Sequence, residues 1–253
     1  MSITYVGSGT AASAAAASVN VPFITGLTAG DKILMPVFAK RSNHTFPDLS
    51  ADGWALLFTP FASGAGTDGS NDQGKVLLGV YERSATGSES GNQTVTLTGG
   101  TADVIAGRMA AFHSTVGWAP TAVITKALDV GNTTAVSWGF SSDLGLTTGD
   151  WAVFIGCLNT DNYNISGQSL TGAGMTATYT GSKFNIAVAL GTSIRYTLGT
   201  NTIDTGPSSG AQTFALTASG SAANAPAGPG ALIRLRESSG SSGNRLLQRH
   251  YEG

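Results

Sequence analysis

The sequence predicts an all-β protein made of two tandem antiparallel β-sandwich domains, of the jelly-roll or immunoglobulin-like kind, with a flexible C-terminal tail. Short apolar stretches rich in Val, Ile, Thr and aromatic residues alternate with clusters of Gly, Ser, Asn and Asp, which is typical of strands joined by turns. Two short sequence motifs also recur, both at the same offset along the chain. Helix signals are weak, because the Ala-rich residues 11–18 have no hydrophobic stripe. We therefore expect that segment to be extended or irregular.

The strongest strand candidates show two patterns. Residues 93–98 alternate polar and apolar side chains, as a strand with one wet face does. Residues 31–38 and 151–158 are continuous apolar runs, which favours strands covered on both faces. Pro36 cannot donate a ladder hydrogen bond, so it predicts a sheet edge or a bulge there. Further candidates are residues 75–81, 185–190 and 231–235.

Internal repetition is the most informative feature of the sequence. Gly-Leu-Thr-Ala-Gly-Asp at residues 26–31 returns as Gly-Leu-Thr-Thr-Gly-Asp at 145–150, an offset of 119 residues. Gln-Thr-Val-Thr-Leu-Thr at 93–98 returns as Gln-Thr-Phe-Ala-Leu-Thr at 212–217, at the same offset of 119. Two matches at one offset are hard to obtain by chance. The sequence therefore predicts two copies of one β-domain from an internal duplication.

A Gly-led apolar segment follows each second word, at residues 107–112 and 230–235. We accordingly predict a first sandwich copy at 1–118 and a second at 119–237, each of a size that suits seven to nine strands. Residues 238–253 are predicted to be a flexible linker with a docking peptide.

The end of the chain begins with a Ser-Ser-Gly repeat and then mixes apolar, aromatic and basic residues. One hypothesis is a peptide that orders on a neighbouring subunit through apolar anchors and orienting charges. A frayed terminus or a cloning scar is the alternative. The proposed docking residues are Arg245, Leu246, Leu247, Arg249 and Tyr251.

Composition argues against several classes of function. Charged residues make up 11% of the chain and the net charge is -2, so the sequence offers no basic surface for nucleic acid. One Cys and three His cannot build a disulfide or a Cys/His zinc cluster. We expect no cofactor. The first twenty residues lack a leader pattern and no apolar run is long enough for a membrane span, so a soluble protein is expected.

Several polar residues are candidates for a functional site. Asp31 and Asp150 suggest a carboxylate pair, but a Gly-Asp step before an apolar strand is better explained as turn chemistry. The oxygen-rich loop at residues 68–74 resembles a calcium loop, yet Gln73 and Gly79 stand where glycine and a carboxylate are needed. An irregular calcium site stays open there, and a plain hairpin loop is the default, so we predict no metal.

Catalytic patterns are weak. The sequence has no Gly-x-Ser-x-Gly elbow between a strand and a helix, and no phosphate-binding glycine motif. His44 is expected in an exposed loop and His113 at the end of a strand, with nothing in the sequence that unites them with a nucleophile. We therefore predict that the chain is not an enzyme.

A carbohydrate or receptor site is the main alternative. Trp138 and Trp151 lie in strand-like runs and are expected in the core, and Trp54 is expected at a strand start. The better ligand candidate is a polar loop with amides, a carboxylate and one tyrosine, against the simpler interpretation of a plain surface loop. Its residues are Asn159, Asp161, Asn162, Tyr163 and Asn164.

Three motifs follow one another in the first half: a Gly-Asp strand, then Gly-Trp at residues 53–54, then Tyr-x-Arg-x-Ala at residues 81–85. In this order they resemble structural proteins of tailed bacteriophages, and the resemblance covers about residues 20–115. The second half keeps only the Gly-Asp word. The resemblance implies a virion component of β-sandwich modules, such as a head decoration, tail or adsorption protein, and no catalytic residues.

The function predicted from the sequence is a non-enzymatic structural component of a bacteriophage virion, either a capsid decoration or a tail-associated protein. It would act through subunit packing with other virion structural proteins and as a homo-oligomer, because a surface with few charges lowers the cost of burying permanent contacts. The alternative is a carbohydrate- or receptor-binding module of a phage adsorption apparatus.

Overall fold

The computed structural model describes residues 3–40, 43–64, 74–99, 104–129, 135–159, 163–173, 176–177, 180–187, 193–205, 209–220 and 227–239. These ranges contain β-strands, turns and one short 3-10 helix at Ser50–Asp52, and no α-helix. All of their strand pairings are antiparallel. The predicted all-β class is confirmed.

The strands divide between the two halves of the chain. The first half contributes β1 (Thr4–Ser8), β2 (Ala12–Ala14), β3 (Ser18–Pro22), β4 (Lys32–Lys40), β5 (Ala55–Leu56), β6 (Phe61–Ser63), β7 (Val76–Ser84), β8 (Asn92–Thr96), β9 (Val104–Gly107) and β10 (Ala110–His113). The second half contributes β11 (Ala122–Leu128), β12 (Ala135–Phe140), β13 (Trp151–Leu158), β14 (Tyr163–Ala173), β15 (Thr176–Ala177), β16 (Thr180–Ala187), β17 (Ser193–Thr205), β18 (Ser209–Gly220) and β19 (Gly228–Leu235).

Each half has one main sheet and one smaller sheet. The first main sheet has the order β1-β10-β4-β7-β5, with β9 between β2 and β4 and with β6 beside β7, while β3 pairs with β8. The second main sheet has the order β11-β19-β13-β17-β15, with β16 beside β17, while β12, β18 and β14 form a separate sheet. The first strand of each half therefore lies beside its last strand, which pairs with the strand that follows the Gly-Asp turn.

The pairing register is also the same in the two halves. Phe112 of β10 faces Lys32 of β4, and Leu235 of β19 faces Trp151 of β13. Lys32 and Trp151 each directly follow the repeated Gly-Asp word. Since a one-residue slip would turn every side chain to the opposite face, equal registers give both main sheets the same pattern of inward and outward positions.

Three apolar cores hold the sheets together. Leu34 and Phe38 of β4 share one core with Ile155 of β13, so the two main sheets pack against each other across the halves. Ile33 of β4 lies in a second core with β3 and β8, and Phe154 of β13 lies in a third with β12 and β18. The prediction that β4 and β13 are covered on both faces is confirmed.

Pro36 does not lie at a sheet edge. Its strand, β4, is central, with β7 on one side and with β9 and β10 on the other. Because proline has no N–H, the ladder on the second side is interrupted, and Arg108 between β9 and β10 donates its amide to the Pro36 carbonyl at 3.3 Å. The predicted edge was wrong. The predicted bulge is absent as well, because the register of β4 with β9 and with β10 is the same, and the ladder is only interrupted between them.

The expectation for His44 also needs correction. His44 is buried, at 7% exposure, rather than exposed. Its neighbour Thr45 bridges to Thr98, which holds this segment against the protein. Phe46 then packs so closely over Gly79 that a Cβ there would lie 2.6 Å from the ring. A polar stretch of sequence is thus buried by the contacts of its neighbours.

Other local expectations are confirmed. β8 alternates exposed and buried residues, and His113 ends β10. The Ala-rich segment is partly extended and partly irregular, with β2 inside it, bends at residues 15–17 and β3 beginning at its end. Residues 75–81 lie almost entirely in β7, residues 231–235 lie in β19, and β16 covers the described part of residues 185–190. Trp138 is fully buried, Trp151 is partly buried against the shared core, and Trp54 directly precedes β5.

Candidate functional site

The first Gly-Asp turn is closed by its own aspartate. The Asp31 amide donates to the Thr28 carbonyl at 3.1 Å. The Asp31 carboxylate accepts the Thr28 amide at 2.9 Å and the Thr28 hydroxyl at 2.9 Å. Gly30 adopts φ +91°, a conformation that glycine adopts at little cost. Asp31 is 1% exposed, so these bonds satisfy a buried charge.

The second turn repeats this geometry. The Asp150 amide donates to the Thr147 carbonyl at 3.0 Å, and the Thr147 amide donates to the Asp150 carboxylate at 2.8 Å. Gly149 has φ +90°, and Asp150 is 2% exposed. Each carboxylate is therefore used inside its own turn, which confirms turn chemistry as the reason for the repeated word.

Each buried carboxylate also has a cationic or cation-forming partner at the end of the last strand of its half. His113 Nδ1 lies 2.7 Å from an Asp31 oxygen. Arg236 binds Asp150 through two nitrogens, Nε at 2.7 Å and Nη2 at 2.6 Å. These two partners were not among the residues predicted from the sequence. The signal was available, because both follow the Gly-led apolar segment that ends each half.

The two partners affect proton binding differently. Burial raises the pKa of Asp31, but hydrogen bonds from Thr28 and His113 outweigh it and lower that pKa overall. The hydrogen bond to Asp150 raises the pKa of Arg236 above its ordinary value. The lowered pKa favours the carboxylate form of Asp31, and the raised pKa favours the guanidinium form of Arg236.

Thr28, His113 and Asp31 bring a hydroxyl, an imidazole and a carboxylate together, but not as a catalytic triad. The Thr28 hydroxyl lies 3.4 Å from His113 Nδ1, and the carboxylate lies 2.7 Å from that same nitrogen. A base that activates a nucleophile uses one ring nitrogen for the hydroxyl and the other for the acid. This group therefore suits a structural role and gives no route for proton transfer through the ring.

The connector between the halves binds the first turn, in which Ala29 and Gly30 are exposed. The Trp118 indole donates to the Gly30 carbonyl at 2.9 Å, and Lys32 Nζ lies 5.6 Å from the centre of the Trp118 ring. Lys32 also binds Glu82 at 2.9 Å and the Thr121 hydroxyl at 2.8 Å. One lysine thus joins the turn, its sheet and the connector.

The second turn instead borders a groove of about 440 Å³. Thr148 and Gly149 are exposed on it, and within the described ranges no side chain donates to the Gly149 carbonyl. Arg236 forms part of the groove and donates further bonds to Gly145 and Thr147. The lining residues are Ala119, Thr147, Thr148, Gly149, Asp150, Arg236, Glu237, Ser238 and Ser239.

Two of the motifs on which the phage resemblance rests, those that contain Trp54 and Arg83, lie next to each other in the structure. The Arg83 guanidinium lies 5.7 Å from the Trp54 ring centre and 5.6 Å from that of Phe23. Arg83 also forms an ion pair with Glu89 at 3.2 Å. These contacts hold the loops in place beside the first main sheet, and they are packing contacts.

The second repeated word places a buried glutamine in each half. The Trp54 indole donates to the Gln93 side chain at 2.9 Å, and the Leu144 amide donates to that of Gln212 at 2.9 Å. Gln212 is fully buried. In the sequence both glutamines stand out only as members of a repeated motif, yet in the structure each one ties a loop to the smaller sheet of its half.

The structure places Asn159 in the protein interior. Its side chain donates to the Gly74 carbonyl at 3.3 Å and accepts the Ala227 amide at 3.2 Å. It is 0% exposed. Its amide therefore binds one segment from each half, which corrects its expected position in a ligand loop.

The other members of that candidate loop are not brought together as a site. Tyr163 and Asn164 begin β14 rather than lying in a loop, with Tyr163 opposite Gly220. Asp161 and Asn162 lie outside the described residues. The ligand role proposed for this group stays a prediction.

The docking peptide and most of the calcium-loop candidate also lie outside the described ranges, which omit residues 65–73 and 240–253. In the part of the chain that the structure describes, no group of three His, Cys, Asp or Glu side chains could hold a metal ion. Cys157 is buried, and burial raises the pKa of its thiol. No described helix is long and apolar enough to cross a membrane.

No match to this chain was found among protein-family models, curated proteins or solved structures.

Proposed function

We propose that this chain is a non-enzymatic structural component of a bacteriophage virion, either a capsid decoration or a tail-associated protein. In this proposal each half is one β-sandwich module, and an internal duplication produced the pair. The protein acts by packing against other virion structural proteins and further copies of itself.

The main support is that the two halves share one strand order and one register and are joined by a common core. The main sheets pack face to face through residues such as Leu34, Phe38 and Ile155. Connector contacts at Trp118 and Lys32 reinforce this junction. A body joined in this way resists relative motion of its halves, which suits a particle subunit better than an enzyme that must open and close.

The composition of the chain supports permanent contacts. Charged residues make up 11% of the chain, and the net charge is -2. Burying an unpaired charge is costly, whereas Ser, Thr, Asn and Gly surfaces can be covered with fewer penalties. In the proposal, module faces provide the broad contacts, and a tethered peptide adds a further one through Arg245, Leu246, Leu247, Arg249 and Tyr251.

The decisive experiment is to look for the protein in particles. Virions of the phage that encodes it would be purified through two density gradients and analysed by quantitative mass spectrometry and antibody labelling in the electron microscope. A fixed copy number per particle and labelling of head or tail are expected. Absence from purified particles, with the protein found only in the lysate, would contradict the proposal.

A matched pair of variants tests the terminal peptide. Deleting residues 240–253 removes the peptide but keeps Ser238, whose hydroxyl donates to the Val116 carbonyl at 2.7 Å. Replacing the same residues by a Gly/Ser tract of equal length is the control for length. Both variants should fold like the wild type and enter particles less well. Unchanged incorporation of both would show that the peptide makes no assembly contact.

A further inference from the structure

The first strand of each half lies at the edge of its main sheet. β1 pairs with β10 on one side, and none of the described strands pairs with its other side. β11 likewise pairs with β19 alone among the described strands. An edge strand presents unpaired backbone N–H and C=O groups on its free side, which a strand of another molecule can bind. The two edges are equivalent in the fold and can be compared directly.

Large apolar side chains are exposed on β1. Four large hydrophobic residues are exposed in the described ranges, and two of them, Tyr5 and Val6, are neighbours in this strand. The Tyr5 ring packs near those of Phe112 and Trp151, at centroid distances of 5.5 and 6.3 Å, and its other side is open. Val6 lies where the register with β10 shifts, so it has no partner residue in β10. The strand therefore combines unpaired backbone with uncovered apolar surface.

The equivalent edge in the second half is protected. β11 exposes Thr125, Lys126 and Ala127, and a lysine on an edge strand opposes pairing with another chain. β1 reads Thr-Tyr-Val-Gly-Ser, with no charged residue and no proline. A bulge can also protect an edge, but the bulge in β1 exposes Val6 rather than a charge. Of the two edges, only that of β1 is open to a further strand.

We propose that β1 is a self-association surface, at which the β1 strands of two copies of this chain pair antiparallel across a two-fold axis. An edge strand presents the same groups to its own copy in reverse order, so one pairing satisfies both strands. Full overlap of the five residues places Thr4 opposite the partner's Ser8, and Val6 opposite the partner's Val6. This pair is one of the contacts between copies on which the proposed function rests.

The charges at the two ends of β1 favour this arrangement. Arg108 donates to the Ser8 hydroxyl at 2.5 Å, so its positive charge lies at that end of the strand. At the other end Thr4 pairs with His113, whose Nδ1 lies 2.7 Å from the Asp31 carboxylate. Antiparallel pairing separates the two Arg108 guanidinium groups by about one strand length, roughly 17 Å, and brings each one near the Asp31 end of the other copy. Parallel pairing would place the two guanidinium groups side by side.

Cysteine cross-linking of the full-length protein tests the pairing. Val6→Cys should give an intermolecular disulfide, because opposite residues of antiparallel strands have Cα atoms about 4.5 to 5.5 Å apart, within disulfide range. Thr125→Cys is the matched control on the protected edge. Under mild oxidation the Val6 variant should cross-link at least about tenfold faster than this control. Cys157 does not compete, since it is buried and its thiol pKa is raised. Equal rates would overturn the proposal.

Sedimentation equilibrium measures the same pair without a covalent link. The wild type should contain dimer at about 100 μM. Val6→Lys gives β1 the kind of charge that β11 carries and should weaken dimerisation at least about tenfold, whereas Thr125→Lys should leave it unchanged. Val6 is exposed, so both variants should fold, and circular dichroism and thermal unfolding verify this.

A wild type that is monomeric at this concentration, or a dimer that Val6→Lys leaves intact, would refute the pairing. The measurement uses the isolated protein, so its failure is distinct from a failure of the proposed function. Absence of the protein from particles would leave the dimer standing, and a monomeric protein could still be found in particles.

Discussion

The two Gly-Asp turns have the same internal bonds but different surroundings. Both are closed by an aspartate that accepts the amide three residues earlier, at 2.9 Å in the first turn and 2.8 Å in the second. The first carboxylate then contacts His113, and the Trp118 indole donates a hydrogen bond to its turn. The second meets Arg236 and borders a groove. The bonds inside the turn are therefore the same in both halves, whereas the partner of the aspartate outside the turn differs.

The residue that follows each aspartate shows a similar contrast. Lys32 uses its ammonium group to bind Glu82 and the connector residue Thr121. Trp151, in the same register, packs its ring 5.5 Å from that of Phe112 in the first half. Both residues join the halves, one by charge and hydrogen bonds and the other by aromatic packing. Equivalent positions in the two halves therefore join the halves through different kinds of contact.

The largest effects should come from removing the two aspartates. Asp150→Ala should cost about 3 kcal/mol of unfolding free energy, because it leaves a guanidinium without its double contact and the Thr147 amide without an acceptor. Asp31→Ala should cost about 2 kcal/mol, since it removes one hydrogen bond with His113, whereas Asp150→Ala removes two with Arg236. Urea unfolding measures both.

Thr148→Ala is the control for the aspartate variants, and its exposed side chain predicts a change within about 0.5 kcal/mol. If Asp31→Ala proved more harmful than Asp150→Ala, the difference assigned to the two partners would be refuted.

Replacing Trp118, which binds the first turn, should have the next largest effect on the free energy of unfolding. Trp118→Ala loses the indole bond to Gly30 and the ring beside Lys32, at a cost of about 2 kcal/mol. Trp118→Phe keeps the ring and should recover about half of that loss. Thermal unfolding distinguishes the two variants. Val116→Ala, at an exposed neighbouring residue, serves as the control, and a loss as large as that of Trp118→Ala would argue against the role of the indole.

The two turn glycines should lose the same unfolding free energy when each is replaced by alanine. Gly30 and Gly149 have φ values of +91° and +90°, and a Cβ at either position would meet nothing within 4 Å. Alanine therefore costs only backbone strain, about 1 kcal/mol in each turn. The two losses should agree within experimental error in chemical unfolding. A clear difference would show that Trp118 or the groove already constrains one of the turns.

Much of the fold followed from sequence because hydrophobic period and turn residues are local signals. The alternation in β8 and the apolar runs of β4 and β13 specified strands and the number of faces each one buries. The face-to-face packing of the main sheets was not predicted, because an apolar run shows that a face is covered and not by which partner. Pro36 was misplaced for a related reason. Its missing N–H can be accommodated by a local break as well as by an edge.

The sites were harder to predict because they depend on long-range contacts. His44 and Asn159 have polar sequence neighbours, yet both are buried by segments that are distant in sequence. The partners of the turn aspartates could have been found by extending the repeat to the residue after each last strand. That residue is His113 in one half and Arg236 in the other, so a search for identical words passes over it.

The smallest predicted effect concerns acid stability at the first turn. Since the folded-state pKa of Asp31 is lowered from 3.8, its charged form stabilises the fold above that pH, and this contribution is lost as pH falls through the lower folded value. The stability gap between wild type and Asp31→Asn should therefore be constant near pH 5 and narrow towards pH 2. The pKa of Glu89 is lowered as well, because hydrogen bonds at Thr86 outweigh its burial, but it titrates equally in both proteins. Guanidinium unfolding at each pH measures the gap, and a gap that does not narrow would mean that the Asp31 charge adds nothing to its hydrogen bonds.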